Sequence, residues 1–197
     1  LYHDMGFIAC FVMPLMLGVR VAMIDPIDWL NQRSLLYEAV SRFGGTICYM
    51  PNFGFEVMSK VECSHSLASM RLWVSCSEPS YKDTLEKFCE KTGTAPSTVS
   101  TCYAMAENVF AMTMSSGLKT INKEGKWFVS CGKPIPSTMI KLIDGQIFVK
   151  SDTSITSYYN GNRICDNEGF YPTGDIGFIS DEELYVEGRS ADIMIQA

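Results

Sequence analysis

The order of apolar patterns most constrains how this chain can fold, because helical and strand-type segments alternate over roughly its first half. Strand-type runs at 46–50 and 72–75 precede helical segments at 53–60 and 81–91 respectively. A further helical pattern, residues 32–43, places its apolar side chains on one face: Leu35, Leu36, Ala39, Val40 and Phe43. Such alternation predicts a layered α/β domain, in which a sheet packs against helices.

Short strand-type runs replace this alternation from Lys126 onward. Turn residues separate the runs, which are 128–129, 139–143, 146–150, 178–179 and 184–186. Asp144-Gly145, between two of them, is typical of a two-residue β-hairpin turn. We therefore expect an α/β subdomain over residues 1–118 and a small β-rich subdomain, distorted and barrel-like, over residues 119–187.

The apolar opening segment, residues 7–17, predicts a buried helix that ends near Gly18. It is too short to cross a membrane, which takes about 20 apolar residues, and Pro14 interrupts it. A signal peptide is disfavoured because no positively charged segment precedes it. Residues 19–24 predict a short buried strand closed by Asp25-Pro26. The chain begins without Met and in mid-pattern, which suggests a piece of a longer protein.

Composition and charge restrict the classes of function. The chain is 47% hydrophobic and 19% charged, as is typical of globular proteins. Its net charge of −6 disfavours nucleic-acid binding, which uses clustered Lys and Arg. The eight cysteines show no CxxC spacing, which disfavours zinc and a disulfide framework. Reduced thiols in a cytoplasmic protein are the better interpretation.

Residues 101–107 combine an aromatic ring with a single carboxylate. Tyr103 and Glu107 are four residues apart, and the small residues Ala104 and Ala106 leave room around them. The ring suits a nucleotide base and the carboxylate suits a magnesium ion on phosphate. Taken alone, the stretch is more typical of a strand end that turns into a core helix.

Three other stretches carry more polar chemistry than packing requires. Residues 2–6 place a His and an Asp beside a Gly, and residues 75–79 place small residues after a strand, where backbone can approach a flat ligand. Further on, Asp175 lies in a Gly-containing turn and Arg189 follows it. A carboxylate there can accept both hydroxyls of a ribose, and the guanidinium can neutralise phosphate. Taken singly, each is more typical of a turn or a core residue.

The ordered set of motifs resembles the adenylate-forming family, which includes acyl-CoA synthetases, fatty acyl-AMP ligases, luciferases and peptide-synthetase adenylation domains. The motifs are Tyr-His-Asp-Met-Gly at 2–6, Tyr-Ala-Met-Ala-Glu at 103–107, Gly-Gln-Ile through Tyr-Tyr-Asn at 145–160, Tyr-Pro-Thr-Gly-Asp at 171–175, and Gly-Arg-x-x-Asp at 188–192. They lie in family order and extend over nearly all 197 residues.

The resemblance implies a role for each matched residue. Tyr103 would pack against adenine, Asp175 would bind the ribose hydroxyls, and Arg189 would contact ribose or phosphate. Glu107 would hold Mg²⁺ on the ATP phosphates and, with His3, would be catalytic. The remaining residues expected to bind ATP or AMP are Ser77, Glu78, Pro79 and Ala106.

The acyl substrate is expected on a second wall of the site. The residues implied there are His3, Met5, Gly6, Tyr49, Pro51, Asn52, Phe53 and Ala104. Asp192 matches the family's hinge, so residues 188–197 would begin the connection to a C-terminal domain. The family's phosphate loop would precede residue 1 and its catalytic Lys would follow residue 197, so this piece is expected not to adenylate alone.

The implied reaction has two steps. A carboxylic acid attacks the α-phosphate of ATP, which gives an acyl adenylate and pyrophosphate. The acyl group then passes to the thiol of coenzyme A or of the phosphopantetheine on an acyl carrier protein. The Met-rich apolar lining expected from 5–16 and 49–58 favours a fatty or otherwise hydrophobic acid.

Two alternatives stay open. Residues 2–6 and 78–88 are most similar to fatty acyl-AMP ligases. These usually carry an inserted segment where this chain has only the short stretch 108–129, and the absence of that segment leaves a CoA ligase open. The motifs also carry Ala104 and Ala106 in place of Gly and of Thr or Ser. A non-catalytic relative that serves as a binding or scaffold module would tolerate such changes.

Overall fold

The computed structural model describes residues 3–159 and 161–193. Its helices are a π-helix at Met5–Val12, α1 (Met13–Leu17), α2 (Pro26–Asn31), α3 (Leu35–Phe43), α4 (Asn52–Met58), α5 (Lys82–Thr92) and α6 (Ser190–Ile193), with 3-10 turns at Pro96–Thr98 and Ala106–Asn108. Its strands are β1 (Ile47–Met50), β2 (Leu72–Ser75), β3 (Val99–Ala104), β4 (Ala111–Met114), β5 (Thr120–Lys123), β6 (Lys126–Val129), β7 (Lys133–Pro134), β8 (Thr138–Ile143), β9 (Gln146–Ser151), β10 (Tyr171–Ser180) and β11 (Glu183–Arg189).

The first sheet has the order β1-β2-β3-β4-β7 and is parallel from β1 to β3. Successive residues of β2 point to opposite faces, and Trp73 and Val74 are both fully buried. Trp73 packs edge-on against Phe88 of α5 with ring centroids 5.1 Å apart, while Val74 joins a second cluster that includes Ala9. Each such buried side chain stabilises the fold by about 1.5–3 kcal/mol. The α/β prediction is confirmed.

The β-rich part is an antiparallel sheet of order β11-β10-β9-β8, beside the hairpin of β5 and β6. Asp144 and Gly145 join β8 to β9 with φ of 51° and 79°, which confirms the predicted hairpin turn. The described strands form open sheets rather than a closed barrel. The division at residue 118 stays a prediction, although β7 lies beyond it and pairs with β4 of the first sheet.

Two expectations for the opening segment were wrong. Residues 7–17 are helical, but Ala9 is the buried residue there, and Leu15 and Met16 are 68% and 81% exposed. Residues 19–24 form no strand, because no described strand lies beside them to supply hydrogen bonds. The high apolar content of this segment predicted that it is buried, but the described part of the chain does not bury it.

The helix α2 was not predicted, although its signal was present. Asp25 caps it by accepting a hydrogen bond from Ile27 N at 2.8 Å, and Pro26 occupies the first helical position. Both residues are favoured at those positions, since Pro lacks an N–H that would be unpaired there. Asp25-Pro26 was interpreted as the end of a strand instead.

No helix within residues 3–159 and 161–193 combines the length and the apolar content that crossing a membrane requires.

The two sheets meet where the chain passes Gly132. Cys131 N donates to Leu184 O at 2.7 Å, and Leu184 N donates to Gly132 O at 2.9 Å. Gly132 has φ of 85°, and a Cβ atom there would overlap the main chain of Met114. Beside this contact, Glu183 accepts hydrogen bonds from Lys119 and from Ser130. The junction therefore fixes the β-rich sheet against β4.

Candidate active site

The two sheets bring three of the predicted site residues together. The hydroxyl of Tyr103, on β3, donates a hydrogen bond to Oδ2 of Asp175 on β10. Arg189 lies opposite Asp175 in the β10–β11 pairing, and its Nε is 3.1 Å from Asp175 Oδ1. The structure thus places three residues that the sequence assigned to one site side by side, although Tyr103 and Asp175 are 72 positions apart.

The surroundings hold Asp175 rigidly. Its backbone N–H donates to Thr173 Oγ1 at 3.1 Å, and that hydroxyl donates to Ile147 O at 2.9 Å. Asp175 is only 9% exposed. Burial, followed by the charge of Asp175, raises the pKa of Tyr103 well above its ordinary value. Tyr103 thus stays a protonated donor at neutral pH.

Asp175 retains capacity for a ligand. A carboxylate offers about four lone-pair positions, and Tyr103 and Arg189 use one on each oxygen. One position on each oxygen is left, which matches two neighbouring hydroxyl donors. Arg189 has its side chain 65% exposed, so its guanidinium can also meet an anion.

Glu107 lies in the turn Ala106–Asn108, immediately after β3. Its Oε1 accepts a hydrogen bond from the hydroxyl of Tyr158 at 3.0 Å, and the hydroxyl of Tyr171 lies 3.1 Å from that of Tyr158. Burial raises the pKa of Tyr171, and the hydrogen bond with Tyr158 and the charge of Glu107 act in the same direction. Glu107 is therefore held by the hydroxyl of Tyr158, which the hydroxyl of Tyr171 contacts in turn.

Asn108 anchors this turn. It is 3% exposed, its Nδ2 donates to Ala111 O at 3.2 Å, and its Oδ1 accepts from Ser154 Oγ at 2.7 Å. Val109 follows with φ of 66°, a costly conformation for a β-branched residue. Strained backbone of this kind clusters at functional sites.

A magnesium ion fits Glu107 as a partial site. Within the described part of the chain, its Oε2 has no hydrogen-bond partner, and no group of three or more His, Cys, Asp or Glu side chains could hold a metal. Magnesium commonly binds one or two carboxylates and completes its shell with waters and substrate phosphates. Glu107 thus supplies the kind of ligand expected when a nucleotide provides the rest.

The loop after β2 is joined to the segment predicted to line the acyl side. Phe53 N donates to the carboxylate of Glu78, and Tyr81 N donates to Asn52 Oδ1 at 3.0 Å. Ser77, whose φ is 76°, has its hydroxyl 3.5 Å from Met5 Sδ. The predicted base-binding and acyl-binding segments are thus neighbours, and the Glu78 carboxylate has a structural partner.

The other predicted residues differ in their surroundings. Tyr49 packs edge-on against Phe110 with centroids 5.9 Å apart, and burial, then the neighbouring thiols, raises its pKa to about 12. Ala104 is part of the cluster beneath the π-helix. Pro51 precedes α4 as its N-cap, and Gly6 lies within the π-helix.

Among the described residues, the side chain of His3 makes hydrogen bonds only within its own segment, residues 3–5. Its Nδ1 contacts Asp4 Oδ1 and accepts from Met5 N at 3.3 Å, and its side chain is 62% exposed. Asp192 lies in α6, but its side chain is outside the described part of the chain, as are Tyr2 and Asn160 of the matched motifs. The roles of His3 and Asp192 stay predictions.

Sequence reasoning assigned no role to Asn108, Tyr158 or Thr173. Tyr158 and Thr173 lie inside the motifs at 145–160 and 171–175, which was the available signal. Asn108 lies outside these motifs. Its amide anchors the distant loop at 151–154, and that contact is visible only in the folded structure.

Comparisons with known proteins show which family this chain resembles. A model of the AMP-binding enzyme family matches residues 1–154. A putative acyl-CoA synthetase of Caulobacter vibrioides is 27% identical over 99% of this chain and 42% of its own length. The solved fatty acid AMP ligase of Legionella pneumophila is 26% identical, with a TM-score of 0.87 over 98% of this chain and 42% of that one.

A fatty acyl-adenylate ligase of L. pneumophila, solved with acyl adenylate and pyrophosphate, is 25% identical with a TM-score of 0.86, over 98% of this chain and 43% of that one. This chain thus spans less than half the length of these relatives. The resemblance expected from the motifs is confirmed, since the family model covers most of the residues. The chain belongs to the AMP-binding enzyme family.

Proposed function

We propose that the full-length protein is an ATP-dependent ligase that activates a hydrophobic carboxylic acid as an acyl adenylate and releases pyrophosphate. The observation that carries the proposal is the contact of Tyr103, Asp175 and Arg189 across two sheets. This contact places an aromatic ring, a carboxylate with free acceptor positions and a guanidinium cation side by side. Those are the groups that a base, a ribose and a phosphate need.

The relatives support the same activity. Similar proteins are named acyl-CoA synthetase and fatty acid AMP ligase, and one structure was solved with acyl adenylate and pyrophosphate. In this proposal Tyr103 packs on adenine, Asp175 accepts the ribose hydroxyls, and Arg189 contacts ribose or phosphate. Ser77, Glu78, Pro79 and Ala106 complete the nucleotide side by their backbone and shape.

Glu107 would be the protein ligand of Mg²⁺. When bound, the ion would neutralise negative charge on the phosphates, which otherwise repel an attacking carboxylate. His3, Met5 and the segment 49–53 would orient the acid, and Asp192 would serve as the hinge. The bond between Phe53 N and Glu78 would keep the acid and the base at a fixed separation.

The acyl acceptor is proposed to be a thiol, of coenzyme A or of a carrier-protein phosphopantetheine. One similar protein is named an acyl-CoA synthetase, and another is named a fatty-acid–acyl-carrier-protein ligase. The eight cysteines are all unpaired, which supports a reducing, cytoplasmic location. Incubating the full-length protein with a fatty acid, ATP and either thiol, and measuring both acyl products, would distinguish the acceptors.

The decisive test is nucleotide binding by Asp175→Asn in the full-length protein. The amide keeps the shape but loses the charged acceptor, and hydrogen bonds to charged groups contribute about 1.5–3 kcal/mol. We expect the Kd for ATP to rise about 10- to 100-fold by calorimetry. Asp152→Asn, an exposed carboxylate with no side-chain hydrogen bond among the described residues, is the matched control.

Unchanged ATP affinity in Asp175→Asn would contradict the assignment of the ribose site. A non-catalytic binding module predicts a different result, because the wild-type protein would then bind nucleotide without any dependence on magnesium.

A further inference from the structure

The loop 151–158 is joined to the turn that carries Glu107. Ile155 N donates to Glu107 O at 2.8 Å, and Thr153 Oγ1 donates to Asn108 O at 3.3 Å. Asn108 Oδ1 also accepts from the hydroxyls of Ser151 and Ser154. Backbone and side-chain bonds thus fix this loop against the turn on either side of Glu107.

Tyr158 adds a contact to the reactive part of the turn, the carboxylate itself. An ionised carboxylate only accepts hydrogen bonds, so the single hydroxyl hydrogen of Tyr158 is used at Glu107 Oε1. The Tyr158 oxygen is then the acceptor for the hydroxyl of Tyr171, 3.1 Å away. The hydrogen bonds therefore run in one direction, from Tyr171 through Tyr158 to Glu107.

We infer that Tyr158 is a positioning residue for the magnesium ligand Glu107. Its hydroxyl occupies Oε1 and restricts rotation of the carboxylate, so Oε2 is left as the single oxygen for the ion. This inference rests on the proposed function, in which Glu107 binds Mg²⁺ on ATP. Partners that orient a metal ligand from outside typically change metal affinity 10- to 100-fold when they are removed.

The contact is not needed to hold the loop in place. Tyr158 is 51% exposed, so its ring is only half-buried. The bonds from Ile155 and to Asn108 remain when the hydroxyl is removed. Tyr158→Phe therefore deletes one donor and leaves the loop attached.

The test is a magnesium titration of ATP binding by the full-length protein, followed with a fluorescent ATP analogue. For Tyr158→Phe we expect the magnesium concentration at half-saturation to rise about tenfold. Affinity for the analogue in EDTA should not change. Tyr171→Phe, which removes the donor behind Tyr158, should shift the magnesium midpoint in the same direction by a smaller factor. Tyr159→Phe is the matched control, because Tyr159 is fully exposed and should behave as wild type.

A wild-type magnesium midpoint in Tyr158→Phe would overturn the inference and leave the proposed function standing. Equal weakening with and without magnesium would also overturn it, because the hydroxyl would then act on the nucleotide or the loop. If the wild-type protein binds the analogue without magnesium dependence and Glu107→Gln binds like wild type, the proposed function of the site fails as well. The two failures are thus distinguishable.

Discussion

Gly132→Ala should destabilise the protein far more than an ordinary glycine substitution. Gly132 has φ of 85°, and an added Cβ atom would overlap the main chain of Met114. Two costs add. A non-glycine residue in the left-handed region lowers the free energy of unfolding by about 1–2 kcal/mol, and overpacking against backbone lowers it by about 1–3 kcal/mol. The expected total is about 2–5 kcal/mol.

Gly125→Ala separates the two costs. Gly125 has nearly the same φ, 84°, but nothing lies within 4 Å of the position that its added methyl group would take, so only the backbone cost of about 1–2 kcal/mol applies. The difference between the variants then measures the close approach of the main chain at Gly132 to Met114 of β4. It should be about 1–3 kcal/mol.

Urea unfolding followed by tryptophan fluorescence measures both free energies of unfolding. Similar m-values in the three proteins would show that the same surface is exposed in each transition. If Gly132→Ala and Gly125→Ala were equally stable, the main chain at Gly132 would not lie against Met114 of β4, and the packing described at this residue would be wrong.

Two further predictions concern buried hydrogen bonds. Burial opposes ionisation of Glu183, but Lys119 and Ser130 outweigh it and lower its pKa. The stability that ionised Glu183 contributes is therefore present above its unfolded pKa and is lost as pH falls through its lower folded pKa. Glu183→Gln should destabilise the protein at pH 7 and match the wild type well below about pH 4. Urea unfolding at each pH measures both results. Tyr37→Phe removes the bond from a fully buried hydroxyl to Met58 O at 2.8 Å and should cost about 1 kcal/mol in the same assay.

The elements with strong periodicity were predictable. The segment 81–91 was expected as a helix and is α5, because its apolar residues recur at the helical interval and pack on the sheet. The hairpin at Asp144-Gly145 was predictable because both positions need positive φ. The strand predicted over residues 19–24 is absent for a physical reason, since a strand forms only where a neighbouring strand supplies hydrogen bonds.

The candidate site was predictable in its residues but not in its contacts. Asp175 and Arg189 come from motifs close in sequence, and the β10–β11 pairing places them opposite each other. Nothing in the local sequence shows that the Tyr103 hydroxyl reaches Asp175, or that Tyr158 reaches Glu107. Such contacts depend on how two sheets pack, which local patterns do not encode.

The bond between Tyr103 and Asp175 joins residues 72 positions apart, and this separation bears on how the protein folds. Closing a long loop costs chain entropy before any contact compensates for it, so contacts of this kind form slowly. The carboxylate and the ring therefore meet only after each sheet has formed and docked on the other. During synthesis, this contact has to wait until β10 has been made, so the first sheet alone cannot complete the site.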